Sequence, residues 1–386
     1  MIGITKLLTG KATVSAALGN TGDARMLQFS AADRPIVVWN CTGRCNLDCA
    51  HCYARSHAGA CELDTAEARS FLDELAEMDV PVALFSGGEP LLREDILELI
   101  SYARSIGLRP VLSTNGTLIT ADVALKLRDA GAVYVGVSID GARETHDRFR
   151  GRRGAFDEAL AGIEAAASAG IRTGIRFTLV AENFIDLPVV LELVEKSKIA
   201  RFCMYHLVYT GGGAEMAAGD VTRDQSRAAV SLLIDTAADW AARGVDAEIL
   251  TADNHADGVM LLRHIEKSDP RRAEDVRRLL VMSGGCSAGR KIASVGPSGE
   301  VYACQFWSSE PLGNVRKQRA SHIWKKPDGG LLLRLRSGPE GAESRCVRCR
   351  YSELCGGCRI RSMAVGRGLW GADPQCYLSD EEIGLA

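Results

Sequence analysis

Apolar runs alternate with amphipathic segments through the first two thirds of the chain. The spacing predicts strands at 35–40, 80–85, 109–113, 133–139, 173–180 and 202–208. It predicts helices at 65–78, 93–106, 121–130, 156–169, 187–198 and 223–242. Continuous apolar strands that alternate with helices are typical of a parallel sheet covered by helices. The pattern therefore predicts an α/β fold with six strand–helix units in an open or partial barrel. In such folds the chemistry lies beyond the C-terminal ends of the strands.

The chain has 386 residues, which suits one large domain or two smaller ones. We expect an N-terminal extension at 1–35, the partial barrel at 36–242, a linker region at 243–285 and a cysteine-rich domain at 286–386.

Composition narrows the class of protein. Hydrophobic residues make up 46% of the chain and charged residues 25%, as in ordinary soluble globular proteins. A net charge of -3 gives no reason to expect a nucleic-acid partner. Residues 1–10 lack the apolar core of a signal peptide, and no apolar run approaches the ~18 residues of a membrane span. We therefore expect a cytoplasmic protein with no membrane span.

Cysteine is unusually frequent, with thirteen in the chain. Without an export signal, this frequency favours metal or cluster ligation over disulfides. The early group consists of Cys41, Cys45, Cys49, Cys52 and Cys61. The C-terminal group consists of Cys286, Cys304, Cys346, Cys349, Cys355, Cys358 and Cys376, and Cys203 lies alone between the two groups. This grouping predicts two metal-handling regions. We expect Cys41, Cys61 and Cys203 to be small buried thiols.

Three early cysteines have the spacing of a cluster-binding loop. Cys45, Cys49 and Cys52 are separated by three and then two residues, so one loop can wrap around a cubane iron–sulfur cluster. One iron would then lack a protein ligand and could bind a substrate. A zinc knuckle is the alternative, but the local ligand count stops at three. His51 lies between two cysteines and cannot easily point in the same direction as both.

Small polar motifs follow three of the predicted strands. The segment 86–90, Ser-Gly-Gly-Glu-Pro, has two glycines that allow backbone groups to approach a ligand closely, and Glu89 suits an ammonium group. Asn115 follows the next strand, and Ser138 and Asp140 follow the one after, where they suit hydroxyl or carboxylate recognition. Each motif alone is also compatible with an ordinary turn.

Together these residues resemble the radical S-adenosylmethionine (SAM) superfamily, over about residues 36–210. The resemblance implies that Cys45, Cys49 and Cys52 hold a [4Fe–4S] cluster whose open iron chelates SAM. Reductive cleavage of SAM would then give a 5′-deoxyadenosyl radical that abstracts hydrogen from a substrate. It further implies that Gly87, Gly88 and Glu89 contact the methionyl amine, that Tyr53 lies near the adenine and that Ser138 lies near the ribose or carboxylate. Asn115 and Asp140 are expected to contact the cofactor as well.

The C-terminal cysteines contain two Cys-x-x-Cys pairs, which is strong evidence for metal binding; one or two structural zinc ions are the alternative. The set resembles the SPASM domain, which holds auxiliary [4Fe–4S] clusters, although two residues rather than three separate the fifth and sixth cysteines. The resemblance implies one complete four-thiolate site, formed by Cys346, Cys349, Cys355 and Cys376. It also implies a second site with an open position, formed by Cys286, Cys304 and Cys358.

Several segments resemble the haem-biosynthesis branch of the superfamily. They are the runs at 1–7, 27–30, 37–40, 205–208, 254–258 and 304–307. This resemblance implies an iron tetrapyrrole substrate that loses acetate side chains, with sister enzymes that act on propionates or decarboxylate coprohaem. It also requires an external electron donor.

A tetrapyrrole would bring several carboxylates to the barrel mouth, where cations can bind them. Arg148, Arg150, Arg152 and Arg153 follow the fourth strand, although a solvated basic loop is the simpler explanation of them. We assign His206 and His255 as candidate catalytic residues, for iron ligation or proton transfer.

Two other functions remain open. A peptide maturase would use the same clusters, but residues 1–35 are short for a peptide-recognition domain. An iron–sulfur electron carrier would have no use for an open site.

Overall fold

The computed structural model describes residues 1–12, 34–57, 59–325, 329–339 and 341–385. The run at 27–30, on which part of the haem-branch resemblance depends, lies outside the described residues.

Ten strands are formed within the described residues. In chain order they are β1 Ile36–Thr42, β2 Ala83–Gly87, β3 Pro110–Thr114, β4 Tyr134–Ser138, β5 Arg172–Leu179, β6 Arg201–His206, β7 Glu248–Ala252, β8 Ile292–Val295, β9 Glu300–Tyr302 and β10 Gly313–Asn314.

The α-helices of the described residues follow most of these strands. In chain order they are α1 Ile4–Leu8, α2 Thr65–Glu77, α3 Ile96–Ser105, α4 Ala121–Asp129, α5 Arg143–Arg150, α6 Ala155–Ser168, α7 Leu187–Lys196, α8 Gly212–Glu215, α9 Arg223–Arg243, α10 Ala256–Ser268, α11 Pro270–Ser283, α12 Ala320–Lys325, α13 Gly330–Ser337, α14 Arg345–Arg348, α15 Arg359–Ala364 and α16 Asp380–Ile383.

All ten strands belong to one sheet, in the order β10-β9-β8-β1-β2-β3-β4-β5-β6-β7. Strands β8 and β1 to β7 are parallel, while β9 and β10 are antiparallel to their neighbours. The sheet does not close on itself, so the predicted partial barrel of parallel strands and helices is confirmed.

The region 243–285 is not an irregular linker, which corrects our expectation. It contributes the seventh parallel strand, β7, and the helices α10 and α11. Strand β7 is short, and its two apolar residues, Ile249 and Leu250, are flanked by polar residues. The pattern of apolar residues alone therefore did not reveal it. The other domain boundaries stay predictions.

Side-chain alternation divides the two faces of the sheet. On β5, Ile175, Phe177 and Leu179 are fully buried on the helix-covered face, while Arg176 and Thr178 are only partly buried on the opposite face. Strand β6 alternates in the same way and pairs with β5 in parallel, so Cys203 and Tyr205 lie beside Arg176 and Thr178. The interior of the barrel therefore has a polar lining at this point.

The start of the chain covers the open edge of the sheet. Ile2 pairs with Thr251 of β7 in an antiparallel bridge, and the Thr5 hydroxyl accepts a hydrogen bond from the Ile249 N–H at 2.9 Å. Because the pairing is antiparallel, Met1 lies near the C-terminal end of β7. Among the described residues, no helix is long and apolar enough to cross a membrane.

Candidate active site

The three early cysteines lie in the loop after β1, at the C-terminal edge of the sheet. The Cys45 residue is exposed, but partial burial of its thiol is the main reason that its pKa is raised to about 11, and the neighbouring Cys49 and Cys52 add to the rise. Burial likewise raises the pKa of Cys52, with a further contribution from Cys49. The thiols are thus near enough to one another to interact, as the spacing predicts.

The Gly87–Gly88 pair at the end of β2 packs directly against this loop. The Gly88 N–H donates to the Thr42 carbonyl at 2.8 Å, and the Glu89 N–H donates to the Arg44 carbonyl at 2.7 Å. A Cβ atom at Gly88 would lie 2.1 Å from the Arg44 carbonyl oxygen. Glycine is therefore required here by close approach of two backbones, which positions the cysteine loop.

Glu89 is fully buried and joins two strand ends. Its Oε1 atom accepts hydrogen bonds from the Thr114 hydroxyl at 2.7 Å and the Leu91 N–H at 3.2 Å. Its Oε2 atom accepts one from the Asn115 N–H at 2.8 Å. Burial raises the pKa of Glu89, and these hydrogen bonds oppose the rise. A carboxylate offers about four acceptor positions, so one stays available for a ligand.

Asn115 connects this buried carboxylate to the cysteine loop. Its side-chain amide donates to the Asn46 Oδ1 atom at 2.8 Å, and Asn46 directly follows Cys45. The Asn46 amide in turn donates to the Thr117 hydroxyl at 2.9 Å. Asn46, which sequence reasoning missed, therefore fixes the loop to the end of β3.

Asp140 supports the cysteine loop from the other side. It is fully buried, forms an ion pair with Arg150 and lies 3.5 Å from His51. Burial acts to raise the pKa of Asp140, but Arg150 and His51 outweigh it, so the pKa is lowered. The Arg150 guanidinium also donates to the Cys49 Sγ atom at 3.4 Å. His51 is thus engaged with Asp140.

Tyr53 lies where the two cysteine regions meet. Its hydroxyl donates to the Asn40 Oδ1 atom at 3.2 Å and lies 3.3 Å from the Ser86 hydroxyl. Its ring packs edge-on against Phe306 with 5.2 Å between the centroids. Phe306 comes two residues after Cys304, so the C-terminal domain contacts the first site directly.

Four C-terminal cysteines line one small cavity: Cys346, Cys349, Cys355 and Cys376. Hydrogen-bond donors reach the sulfur atoms, from the Asp373 N–H to Cys346 at 3.3 Å and from the Arg345 guanidinium to Cys376 at 3.0 Å. Donors of this kind tune iron–sulfur clusters. The structure brings together the set that the resemblance implied for one complete site.

The other three C-terminal cysteines form a second group. The pKa of Cys304 is raised chiefly by burial and then by Cys286 and Cys358, so the three thiols interact. The Cys286 N–H donates to the Cys355 carbonyl at 3.2 Å, which places this group beside the four-cysteine cavity.

The two candidate catalytic histidines lie next to the C-terminal domain. The Nε2 atom of His206 is 2.9 Å from Asp257, whose other oxygen accepts a hydrogen bond from the Tyr377 hydroxyl at 2.8 Å. His255 precedes α10, and burial lowers its pKa to about 3, so it is neutral at pH 7. The network around His206 is that of a structural link, and a catalytic role for either histidine stays a prediction.

Of the remaining cysteines, Cys41 and Cys203 are buried, and the Cys41 thiol donates to the Ser86 carbonyl at 3.2 Å. Cys61 is exposed, so the expectation that it is buried was wrong, because it lies in the connection that leads to α2.

Sequence reasoning also missed that the triple glycine at 211–213, after β6, packs against the cysteine loop. A Cβ atom at Gly212 would lie 2.1 Å from the Ala50 carbonyl oxygen, and the Gly212 N–H donates to the Cys52 carbonyl at 3.0 Å. Three consecutive glycines were the available signal for this close approach.

Family profiles and known proteins fit this geometry. Residues 39–194 match the Radical SAM superfamily, and residues 286–359 match the SPASM iron-sulfur cluster-binding domain. The crystal structure of SuiB from Streptococcus suis bound to S-adenosylmethionine has a TM-score of 0.69 and 17% identity, covering 90% of this chain and 76% of SuiB. That likeness concerns the fold. The chain therefore belongs to the radical SAM enzymes with a SPASM domain, whose cofactors are SAM and [4Fe–4S] clusters.

Sequence relatives place it further within the superfamily. It is 45% identical to Fe-coproporphyrin III synthase of Methanosarcina barkeri, over 100% of this chain and 99% of that protein. It is 38% identical to pre-heme d1 synthase of Dinoroseobacter shibae, over 92% of this chain and 88% of that protein. The chain belongs to the haem-biosynthesis branch of the superfamily, which confirms the sequence-based assignment.

Proposed function

We propose that this protein removes the two acetate side chains of didecarboxysiroheme to give Fe-coproporphyrin III. The observation that carries this proposal is the 45% identity, end to end, with Fe-coproporphyrin III synthase. The identity to pre-heme d1 synthase is lower, at 38%, and extends over less of both chains.

The early cysteines suit a cluster better than a single metal ion. The loop supplies three closely spaced thiolates, one fewer than a structural zinc site takes. A zinc ion draws its ligands into a tight tetrahedron, whereas a cubane holds its thiolates farther apart. We assign Cys45, Cys49 and Cys52 to the radical cluster. When bound, this cluster supplies the electron that cleaves SAM to a 5′-deoxyadenosyl radical.

The residues around the cluster have separate tasks in this proposal. Gly87 and Gly88 hold the cysteine loop by backbone contact, and the free acceptor position of Glu89 binds the SAM amino group. Arg150, paired with Asp140, donates to the Cys49 sulfur and stabilises its negative charge. We keep Tyr53 as a contact to the adenine of SAM and Ser138 as a contact to its ribose or carboxylate.

The C-terminal cysteines are assigned to auxiliary clusters. The four-cysteine cavity would hold one, and Cys286, Cys304 and Cys358 would hold a second with an open position. The contact of Tyr53 with Phe306 supports passage of an electron between the two regions. An external donor must supply that electron, and its identity, like a cytoplasmic location, stays a prediction.

Conversion of the tetrapyrrole tests the proposal. The anaerobically reconstituted protein is incubated with didecarboxysiroheme, SAM and dithionite, and the products are analysed by mass spectrometry. We expect loss of two acetate groups together with 5′-deoxyadenosine, and neither with the Cys45→Ala variant. Loss from propionates instead would favour the activity of pre-heme d1 synthase. No loss, with turnover of a peptide encoded beside the gene, would favour a maturase.

A further inference from the structure

The interior face of β5 carries an arginine whose charge has no acidic partner. Within the described parts of the chain, Arg176 forms no ion pair and no hydrogen bond through its guanidinium group. Its contact is the ring of Tyr205, whose centroid lies 4.5 Å from the guanidinium carbon. A cation over an aromatic face is held in orientation while its N–H donors stay available.

Strand register places this arginine beside Ser138, a residue assigned to SAM binding. Arg176 pairs with Ser138 of β4 on one side and with Cys203 of β6 on the other. Ser138 is assigned to SAM, so Arg176 lies beside the expected position of the cofactor. The nearby groups that influence Arg176 electrostatically include Tyr53, Tyr134 and Tyr205, which are neutral at pH 7.

One carboxylate, that of Asp253, is near enough to interact with Arg176 but does not pair with it. Burial raises the pKa of Asp253, and Arg176 is one of several cations that oppose the rise. The two side chains form no ion pair. The Asp253 Oδ2 atom is itself buried without a hydrogen-bond partner in the described structure. Asp253 therefore leaves the Arg176 guanidinium available to another anion.

Three of the four arginines that the sequence suggested are occupied by comparison, and the fourth, Arg153, is exposed. Arg148 pairs with Glu182 at 2.6 Å, Arg150 with Asp140 and Arg152 with Glu158. None of the Arg176 nitrogens is a buried atom without a partner, so they stay open to water and to a ligand that replaces it. The planar fork of guanidinium donors matches a carboxylate.

We propose that Arg176 binds a carboxylate of the tetrapyrrole inside the barrel and thereby orients the substrate. This inference rests on the proposed function for the identity of the substrate. The carboxylate of SAM offers the same chemistry, so the experiment must distinguish the two sources.

The test measures binding to the reconstituted protein with all its clusters. The variants are Arg176→Leu and Arg176→Lys, and the control is Arg153→Leu, which alters an exposed arginine between α5 and α6. The probes are Fe-coproporphyrin III and its tetramethyl ester, titrated by absorbance. SAM affinity and SAM cleavage without substrate are measured in parallel. Equal iron contents verify that the variants fold.

We expect Arg176→Leu to weaken binding of the free acid about ten- to a hundredfold, because a charged hydrogen-bonded pair is lost. Arg176→Lys should lose less, and Arg153→Leu should stay within about twofold of the wild type. The ester should bind the wild type weakly, and Arg176→Leu should weaken it no further. SAM affinity and cleavage should be unchanged.

Other outcomes overturn the inference. A loss of SAM affinity with unchanged porphyrin binding would assign Arg176 to the SAM carboxylate. Unchanged binding of both ligands would exclude a carboxylate site. If the wild type bound neither porphyrin, the proposed function would fail, and the SAM measurements would still decide whether Arg176 binds a carboxylate.

Discussion

At the scale of single residues, the site depends on where backbones approach without a side chain between them. Gly88 is the clearest position, because its missing Cβ would meet the Arg44 carbonyl oxygen at 2.1 Å and the Cys45 Cβ at 3.1 Å. Neither neighbour is the flexible end of a side chain, so relief of the contact would shift the cysteine loop itself.

We therefore expect Gly88→Ala to lose the radical cluster, or about four iron atoms per chain, and reductive SAM cleavage with it. Iron analysis and 5′-deoxyadenosine formation measure both effects. The control is Gly219→Ala, where a Cβ atom would meet nothing within 4 Å and φ is not positive. Full iron content and full cleavage in Gly88→Ala would show that the loop tolerates the methyl group.

The sequence predicted some of these residues and missed others for a physical reason. Cys45, Cys49 and Cys52 could be identified because their spacing lies within one loop. Arg176 and Asn46 could not, because their importance depends on contacts made across the sheet. An arginine in a strand looks the same in sequence whether it is solvated, paired or free to bind a ligand.

At the scale of elements, helix α15 attaches the C-terminal domain to the barrel through one buried arginine. The Arg361 guanidinium forms a bidentate ion pair with Asp373, at 2.9 and 2.8 Å. It also donates to the Leu207 carbonyl at 3.1 Å and the Asp253 carbonyl at 2.8 Å. These two carbonyls directly follow β6 and β7, so a single side chain connects both strand ends to the cysteine-rich domain.

We expect Arg361→Leu to lower the free energy of unfolding by about 3–5 kcal/mol, because Asp373 would be left as a buried, uncompensated charge. Anaerobic denaturant unfolding measures the change. Arg367→Leu is the matched control, since Arg367 is exposed and makes one hydrogen bond to a carbonyl. A loss no larger than that of the control would mean that water or rearrangement replaces the pair.

The alternation of apolar strands and helices predicted six strand–helix units because each unit is encoded locally. It did not predict β7 or the extension of the sheet by β8, β9 and β10, which have only two to four residues each. Such short strands are stabilised by neighbours rather than by their own pattern. Their existence follows from packing that a linear pattern cannot express.

At the scale of the whole molecule, residues far apart in the chain converge on one end of the sheet. Met1 reaches the end of β7, Phe306 reaches Tyr53, and Arg361 reaches the ends of β6 and β7. The three proposed cluster sites thereby become parts of one continuous structure. The second one adjoins the radical site through Phe306 and the four-cysteine cavity through Cys286. This order suggests a path for electrons from the protein surface to SAM.

The number of clusters tests this arrangement. With all three sites filled, the reconstituted wild type should hold about 12 iron atoms per chain. Cys304→Ala should reduce the count to about 8 and retain some SAM cleavage, whereas Cys45→Ala should give the same count with no cleavage. Cys61→Ala, at an exposed cysteine outside the three proposed cluster sites, should keep the full count. If the wild type held about 8 iron atoms and Cys304→Ala did not lower that number, the four-cysteine cavity would be the sole auxiliary site. If the wild type held only about 4 iron atoms, neither auxiliary cluster would be present. In either case Cys286, Cys304 and Cys358 would be ordinary thiols, and the electron would have to reach the radical site without a cluster at that position.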